Sequence, residues 1–199
     1  LTEDDVKPEW FSGVRCFDFT EAAIRREPLR SAALRAAQLA QAAGCLVVYA
    51  VNYRSSGWAG HEHELIGAQR AACSSADVVI LNADEATLLT QEKRIEAAGA
   101  QLLALGPRVV AITNGEKGTH LATAEGAAHV PAFDVRVRYD VGAGDAFHAG
   151  LVAAILRGLP ALDAARFASA VAALKISRPP RLDFLPTWAE AASLAGLSS

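Results

Sequence analysis

The sequence predicts an α/β fold, a mainly parallel sheet with helices on both faces, built as a single domain over residues 1–199. Three observations predict it. Helical stretches alternate with short apolar runs along most of the chain. Those runs, such as Cys45-Leu46-Val47-Val48-Tyr49 and Asp77-Val78-Val79-Ile80-Leu81, are apolar at consecutive positions, the pattern of strands buried on both faces. Polar or glycine-bearing segments follow the carboxyl ends of the runs, where open α/β sheets collect their ligands.

Taken in order, the run Val14-Arg15-Cys16-Phe17-Asp18-Phe19 reads as a first strand. Over 28–43, Leu29, Ala32, Ala33, Ala36, Leu39 and Ala40 recur at helical spacing, and Gly44 ends that helix before the strand 45–49. A second unit repeats the order, with a helix over 62–73 and a strand over 77–81. A short helix over 84–89, a longer one over 92–104 and a strand over 107–112 follow. Asn114-Gly115 is a turn, and 119–130 reads as a hairpin of alternating small and apolar residues. Alanine-rich helices are expected after Gly144 and over 162–174, Pro179-Pro180 breaks the second, and 188–194 forms a last helix.

With 52% hydrophobic residues and a net charge of −3, the chain carries enough apolar material for a sizeable core. It has no basic stripe of the kind that binds nucleic acid or an anionic membrane. A small-molecule ligand fits this composition better. Cys16, Cys45 and Cys73 are odd in number and widely spaced, which argues against a disulfide framework or a zinc site and for a reducing, cytoplasmic setting. No run is long enough for a membrane helix, and the opening Leu1-Thr2-Glu3-Asp4-Asp5 is too acidic for a signal peptide. Beginning at Leu1 and lacking methionine, the sequence reads as an excised piece or one without its upstream residues.

The stretch with most chemical content is Tyr139-Asp140-Val141-Gly142-Ala143-Gly144-Asp145-Ala146-Phe147. Gly142 and Gly144 allow a tight turn and close ligand approach, and the first amides of the following helix face outward as anion donors. Asp145 falls in the first turn, placed to accept a proton from a hydroxyl that attacks phosphorus. Favourable placement at the helix N-terminus explains Asp145 equally well without function.

Three other strand ends carry polar groups. Asn52-Tyr53-Arg54 and Trp58 follow the strand 45–49, where Arg54 would hold a phosphate or carboxylate or else sit solvated in a polar loop. Asn82-Ala83-Asp84-Glu85 offers an amide and two carboxylates, as a helix cap or as one of the few protein ligands Mg²⁺ takes. Thr113-Asn114-Gly115-Glu116-Lys117-Gly118 offers backbone that a nucleotide can approach, or a plain hairpin turn. His61-Glu62-His63 has the wrong spacing for a metal pair on a helix face. A Rossmann dinucleotide site is set aside because the glycines come late, are spaced G-x-G-D, and no acidic residue closes a strand about twenty residues later.

In order and type, these segments resemble the PfkB, or ribokinase-like, carbohydrate kinases, and the resemblance runs over the whole chain, nearest to bacterial fructokinases and 2-keto-3-deoxygluconate kinases. Asn52-Tyr53-Arg54 resembles the family's D-x-N-x-R segment, Asn82 with Glu85 its N-x-x-E motif, 113–118 its T-x-G-x-x-G turn, and 142–145 its G-A-G-D signature. The resemblance implies ATP-dependent phosphorylation of a sugar hydroxyl, with Asp145 as base and Gly142, Ala143 and Gly144 forming the anion hole. It further implies Thr113, Gly115, Gly118 and Ser169 at the nucleotide, Asn52 and Arg54 at the sugar, and Asn82 and Glu85 arranging Mg²⁺ through water; the homodimer that family members often form through their lids stays open here, where the lid is expected to be absent.

The sequence departs from the pattern in three places. Ala50 stands where the family's aspartate opens D-x-N-x-R, and Tyr139-Asp140-Val141 stands where D-T-x precedes G-A-G-D. Either that aspartate is lost, or Asp140 is that aspartate after a one-residue deletion, and monovalent-cation binding at this segment is not expected to carry over unchanged. The early strands, much of the sugar pocket and the lid are expected to be absent from these residues. An alternative is a nucleotide-binding relative or fragment without catalysis that serves as a structural or regulatory partner.

Overall fold

The computed structural model describes residues 1–181 and 185–197. Six strands, β1 (Cys16–Thr20), β2 (Leu46–Ala50), β3 (Val78–Asn82), β4 (Val109–Thr113), β5 (Thr119–Thr123) and β6 (Gly126–Val130), form one sheet in the order β1-β2-β3-β4-β5-β6. β1, β2 and β3 are parallel, with Val48 opposite Asp18 on one side and Val78 on the other. Among the described residues the helices are α1 (Leu29–Ala42), α2 (Glu62–Ser74), α3 (Ala83–Thr90), α4 (Ile95–Leu103), α5 (Ala143–Leu156), α6 (Ala161–Ile176) and α7 (Trp188–Ala195). The alternation read from the sequence is the alternation observed.

Several starts differ from the reading, the first strand beginning at Cys16 rather than Val14, and two of the shifts have a visible cause. The long helix expected from residue 92 begins at Ile95, because Gln91 takes a left-handed conformation that ends α3 and the Arg94 amide donates to Glu92 Oε1 at 2.8 Å. The strand expected from residue 107 begins at Val109, since the Arg108 and Val109 amides both donate to the Asp77 carbonyl.

The chain divides into two compact units, one of Leu1–Ile112 with Ala122–Gly126, the other of Thr113–Leu121 with the residues from Ala127 onward. In the first unit Val47, Val48 and Tyr49 are successive and all fully buried, so this strand has no solvent face. Val47, Tyr49, Val79, Leu81, Val110 and Ile112 share one apolar core with the alanine face of α1 and with Trp58 and Leu102. Consecutive apolar residues therefore mark strands here for a physical reason: both faces are taken out of water.

The second unit is held by its alanine-rich helices. Gly150 of α5 has the Ala168 backbone and Val171 so near that a Cβ there would meet them at 3.0–3.2 Å, which allows α5 and α6 to pack closely. The Phe167 and Trp188 rings lie 4.0 Å apart, with the Arg157 guanidinium 3.9 Å from the centroid of Trp188. Among the described residues no helix is long and apolar enough to cross a membrane, and all three cysteines are free thiols.

One polar contact is sealed in the core of the first unit. The Tyr49 hydroxyl donates to Gln69 Oε1 at 2.5 Å, both residues being fully buried. Tyr49→Phe would leave that amide oxygen unsatisfied, so urea denaturation should show a loss of about 1–3 kcal/mol. Adding Gln69→Leu should recover most of it; equal stability of the single variant and the wild type would contradict this account of the pair.

Candidate active site

In the first unit the segment after β2 is held by two buried carboxylates. Glu85 lies in the first turn of α3 and closes a capping box: the Glu85 amide donates to Asn82 Oδ1 at 2.9 Å, and the Asn82 amide donates to Glu85 Oε2 at 2.8 Å. The other oxygen, Oε1, accepts the Tyr53 amide at 2.7 Å. Glu21, directly after β1 and fully buried, accepts the indole N–H of Trp58, the Arg25 guanidinium (Nε at 2.9 Å, Nη2 at 2.5 Å) and, at 3.5 Å, the Arg54 amide. Neighbouring main-chain amides, those of Tyr53 and Arg54, are thus gripped by two different acids. Asn52 turns through a left-handed conformation, φ +41°, and the side chains of Asn52 and Arg54 stay exposed.

The structure therefore brings Asn82, Glu85 and the 53–54 backbone together. Burial raises the Glu85 carboxyl above its ordinary 4.5, against the lowering pull of the Asn82 and Tyr53 amides and of Arg54. The bond to Glu21 raises the Arg25 guanidinium above its ordinary value and holds it charged. Each Glu85 oxygen accepts one amide, so each retains a lone pair for a water molecule on a cation. Among the described residues no three His, Cys, Asp or Glu side chains cluster to enclose a metal ion. A cation held mainly by waters and phosphate oxygens, with one protein carboxylate near by, suits Mg²⁺.

In the second unit Gly142 is the N-cap of α5 with φ +82°, a conformation that favours glycine. The Ala143 amide donates to the Asp140 carbonyl at 3.0 Å, which narrows the expected anion hole: that amide already has an acceptor. The following amides of the first turn have no intrahelical acceptor by helix geometry. Asp145 is exposed in this turn, and a Cβ on Gly142 would stand 3.9 Å from its Oδ2 and 3.5 Å from Lys175 Nζ. The Lys175 ammonium donates to the Val141 carbonyl and lies 5.0 Å from the centroid of the Tyr139 ring.

The turn 113–118 closes on itself, the Asn114 amide donating to the Gly118 carbonyl at 2.8 Å and the Gly118 amide to the Gly115 carbonyl at 3.0 Å. A Cβ on Gly118 would run into the backbone of Val130, Pro131 and Ala132, so that glycine is needed by packing alone. Thr113 is half-buried, and nothing lies within 4 Å of where a Gly115 Cβ would be. Ser169 is buried on α6, its Oγ without a hydrogen-bond partner among the described residues.

Sequence reasoning missed Glu21 and Lys175. Glu21 carries only a weak signal, an acid directly after a strand, and Lys175 looks like an ordinary basic residue in the last turn of a helix.

Residues 17–188 match the model of the pfkB family carbohydrate kinases. A 5-dehydro-2-deoxygluconokinase of Clostridium perfringens is 26% identical over 192 residues, covering 94% of this chain and 56% of the relative. The chain thus spans little more than half the length of that curated relative. The crystal structure of aminoimidazole riboside kinase from Salmonella enterica, complexed with aminoimidazole riboside and an ATP analog, superposes with a TM-score of 0.82 at 28% identity, over 97% of this chain and 66% of that one. A fructokinase with bound ATP from Xylella fastidiosa gives 0.84 at 25% identity, over 98% and 66%. The ribokinase-like α/β fold expected from the sequence is the fold of these neighbours.

The raised Glu85 carboxyl has a measurable consequence. A carboxyl that holds its proton more tightly folded than unfolded contributes stability below the ordinary glutamate value of 4.5 and loses that contribution as pH rises through the higher folded value. Urea denaturation of the wild type should therefore show this decline, and Glu85→Gln should remove it while costing about 1–2 kcal/mol through the broken cap. A pH profile of Glu85→Gln parallel to that of the wild type would contradict the assignment.

Proposed function

The chain belongs to the pfkB family of carbohydrate kinases, and on that premise we propose that it is the nucleotide-binding and catalytic portion of an enzyme that transfers the γ-phosphoryl group of ATP to a hydroxyl of a sugar or sugar acid. The observation that carries the reading is the start of α5: a left-handed Gly142, first-turn amides that helix geometry leaves without an intrahelical acceptor, and the Asp145 carboxylate and Lys175 ammonium both close to that glycine. In this reading Asp145 accepts the proton of the attacking hydroxyl as the oxygen bonds to phosphorus, and the bond from phosphorus to the bridging oxygen of ADP breaks. With the Ala143 amide already paired to the Asp140 carbonyl, the other amides of the Gly142–Gly144 backbone receive the charge that develops on the phosphoryl oxygens.

Thr113, Gly115, Gly118 and Ser169 border the nucleotide in this reading. Ser169 brings a buried hydroxyl that lacks a partner within the described chain, and Gly115 brings backbone with open space beside it. Asn82 and Glu85 would hold the waters of a Mg²⁺ ion bound with ATP, whose charge would neutralise that of the phosphates. Asn52 and Arg54 contact the acceptor. A fixed backbone beneath an exposed guanidinium suits recognition of a carboxylate or phosphate, which makes keto-deoxy sugar acids the first acceptors to test and fructose the next. The names of the 5-dehydro-2-deoxygluconokinase and fructokinase relatives point to the same two classes. The three free thiols suit work in the cytoplasm.

Asp145→Asn in the intact protein tests the role of the base. It should lower kcat by about 10²–10⁴-fold while ATP affinity, read by calorimetry, stays within about threefold. Turnover at the wild-type rate would show that Asp145 is not the base.

A further inference from the structure

We propose that Lys175 is a positioning residue of the 139–145 turn and its resident monovalent cation, so that the turn works without recruiting a metal ion such as potassium. The proposal deepens the kinase reading of the same turn and rests on it. Lys175 lies in the last turn of α6, where a lysine that only complemented the helix dipole would remain near its own helix carbonyls. Here the ammonium reaches across 34 residues to donate to the Val141 carbonyl and sits over the Tyr139 ring. The next residue ties the same segment through its main chain: the Ile176 carbonyl accepts the Arg138 amide at 2.8 Å and the Tyr139 amide at 3.1 Å. The end of α6 and the approach to Gly142 are therefore fastened together by adjacent residues.

The charge of this ammonium is not spent on an acid. Among the described residues no Asp or Glu forms an ion pair with Lys175, although Asp145 Oδ2 and Lys175 Nζ both lie beside Gly142. A carbonyl oxygen turned toward a loop is the kind of ligand an alkali-metal ion takes, and here an ammonium of the same charge already occupies it. It fixes the carbonyl of the residue before Gly142 and leaves a positive charge next to the amides that would meet a phosphoryl group. Tyr139 fits the arrangement, because its ring face attracts an ammonium.

The test is the cation dependence of the intact protein and of Lys175→Met, with Lys175→Arg as the conservative variant. Initial rates of ATP-dependent phosphorylation are compared in potassium chloride and in tetramethylammonium chloride at equal ionic strength. The wild type should give rates equal within about twofold in the two salts, and Lys175→Met should fall by about tenfold or more in tetramethylammonium, mainly in kcat. Potassium or methylammonium should restore part of that loss, and Lys175→Arg should stay close to the wild type. A wild type that requires potassium, a Lys175→Met variant as fast as the wild type, or a loss that no cation repairs would each overturn the proposal.

A ligand-free arm separates this failure from failure of the kinase reading. Potassium, relative to tetramethylammonium, should raise the melting temperature of Lys175→Met and leave that of the wild type unchanged. Equal responses of the two proteins would overturn the resident-cation role. Absence of phosphorylation with every acceptor, alongside the expected melting response, would instead overturn the kinase reading.

Discussion

The first unit depends on carboxylates that the fold has taken out of water. Glu21 is fully buried and Glu85 nearly so, and a carboxylate in such a place is tolerated only when its lone pairs are filled. Both accept hydrogen bonds from the same short segment, Glu85 with a further one from the Asn82 amide. Tyr53 and Arg54 donate their main-chain amides to different acids, Trp58 donates its indole N–H to Glu21, and Arg25 supplies the compensating charge. The chain leaving β2 is consequently fixed by its backbone while the Arg54 side chain remains free to face solvent or a ligand. Removing Arg25 would leave Glu21 with an uncompensated charge, a change that typically costs about 3–5 kcal/mol in buried pairs.

The second unit solves a different problem, that of presenting backbone polarity without closing it off. Gly142 turns the chain into α5 through a left-handed conformation, and Asp140 accepts one amide of the new helix. Lys175 and Ile176 hold the approach to that turn from the end of α6. α5 and α6 can sit close enough for this because Gly150 and the alanines between them take little space. Small residues in these helices thus shape the turn as much as its own glycines do.

Much of this was legible in the sequence, for identifiable reasons. Consecutive apolar residues in β2, β3 and β4 reflect burial on both faces, and the N-x-x-E spacing of Asn82 and Glu85 is the spacing of a capping box as well as of a family motif. That double meaning matters, because the cap accounts for both residues' local geometry before any metal is considered. Gly118 shows the same ambiguity, since the backbone of 130–132 demands glycine there whether or not a nucleotide binds. Glu21 and Lys175 were not legible. Their partners, Trp58 and Val141, lie 37 and 34 residues away in sequence and meet them only through tertiary packing, which no local pattern encodes.

The most direct test of the account is phosphoryl transfer by the intact protein from γ-labelled ATP with Mg²⁺, against 2-keto-3-deoxygluconate, 5-dehydro-2-deoxygluconate, fructose and a set of aldoses and pentoses. The account predicts label in a sugar phosphate, formed fastest with a keto-deoxy sugar acid or fructose and only when Mg²⁺ is supplied. Mg²⁺-dependent ATP binding with no label transferred to any acceptor would contradict it.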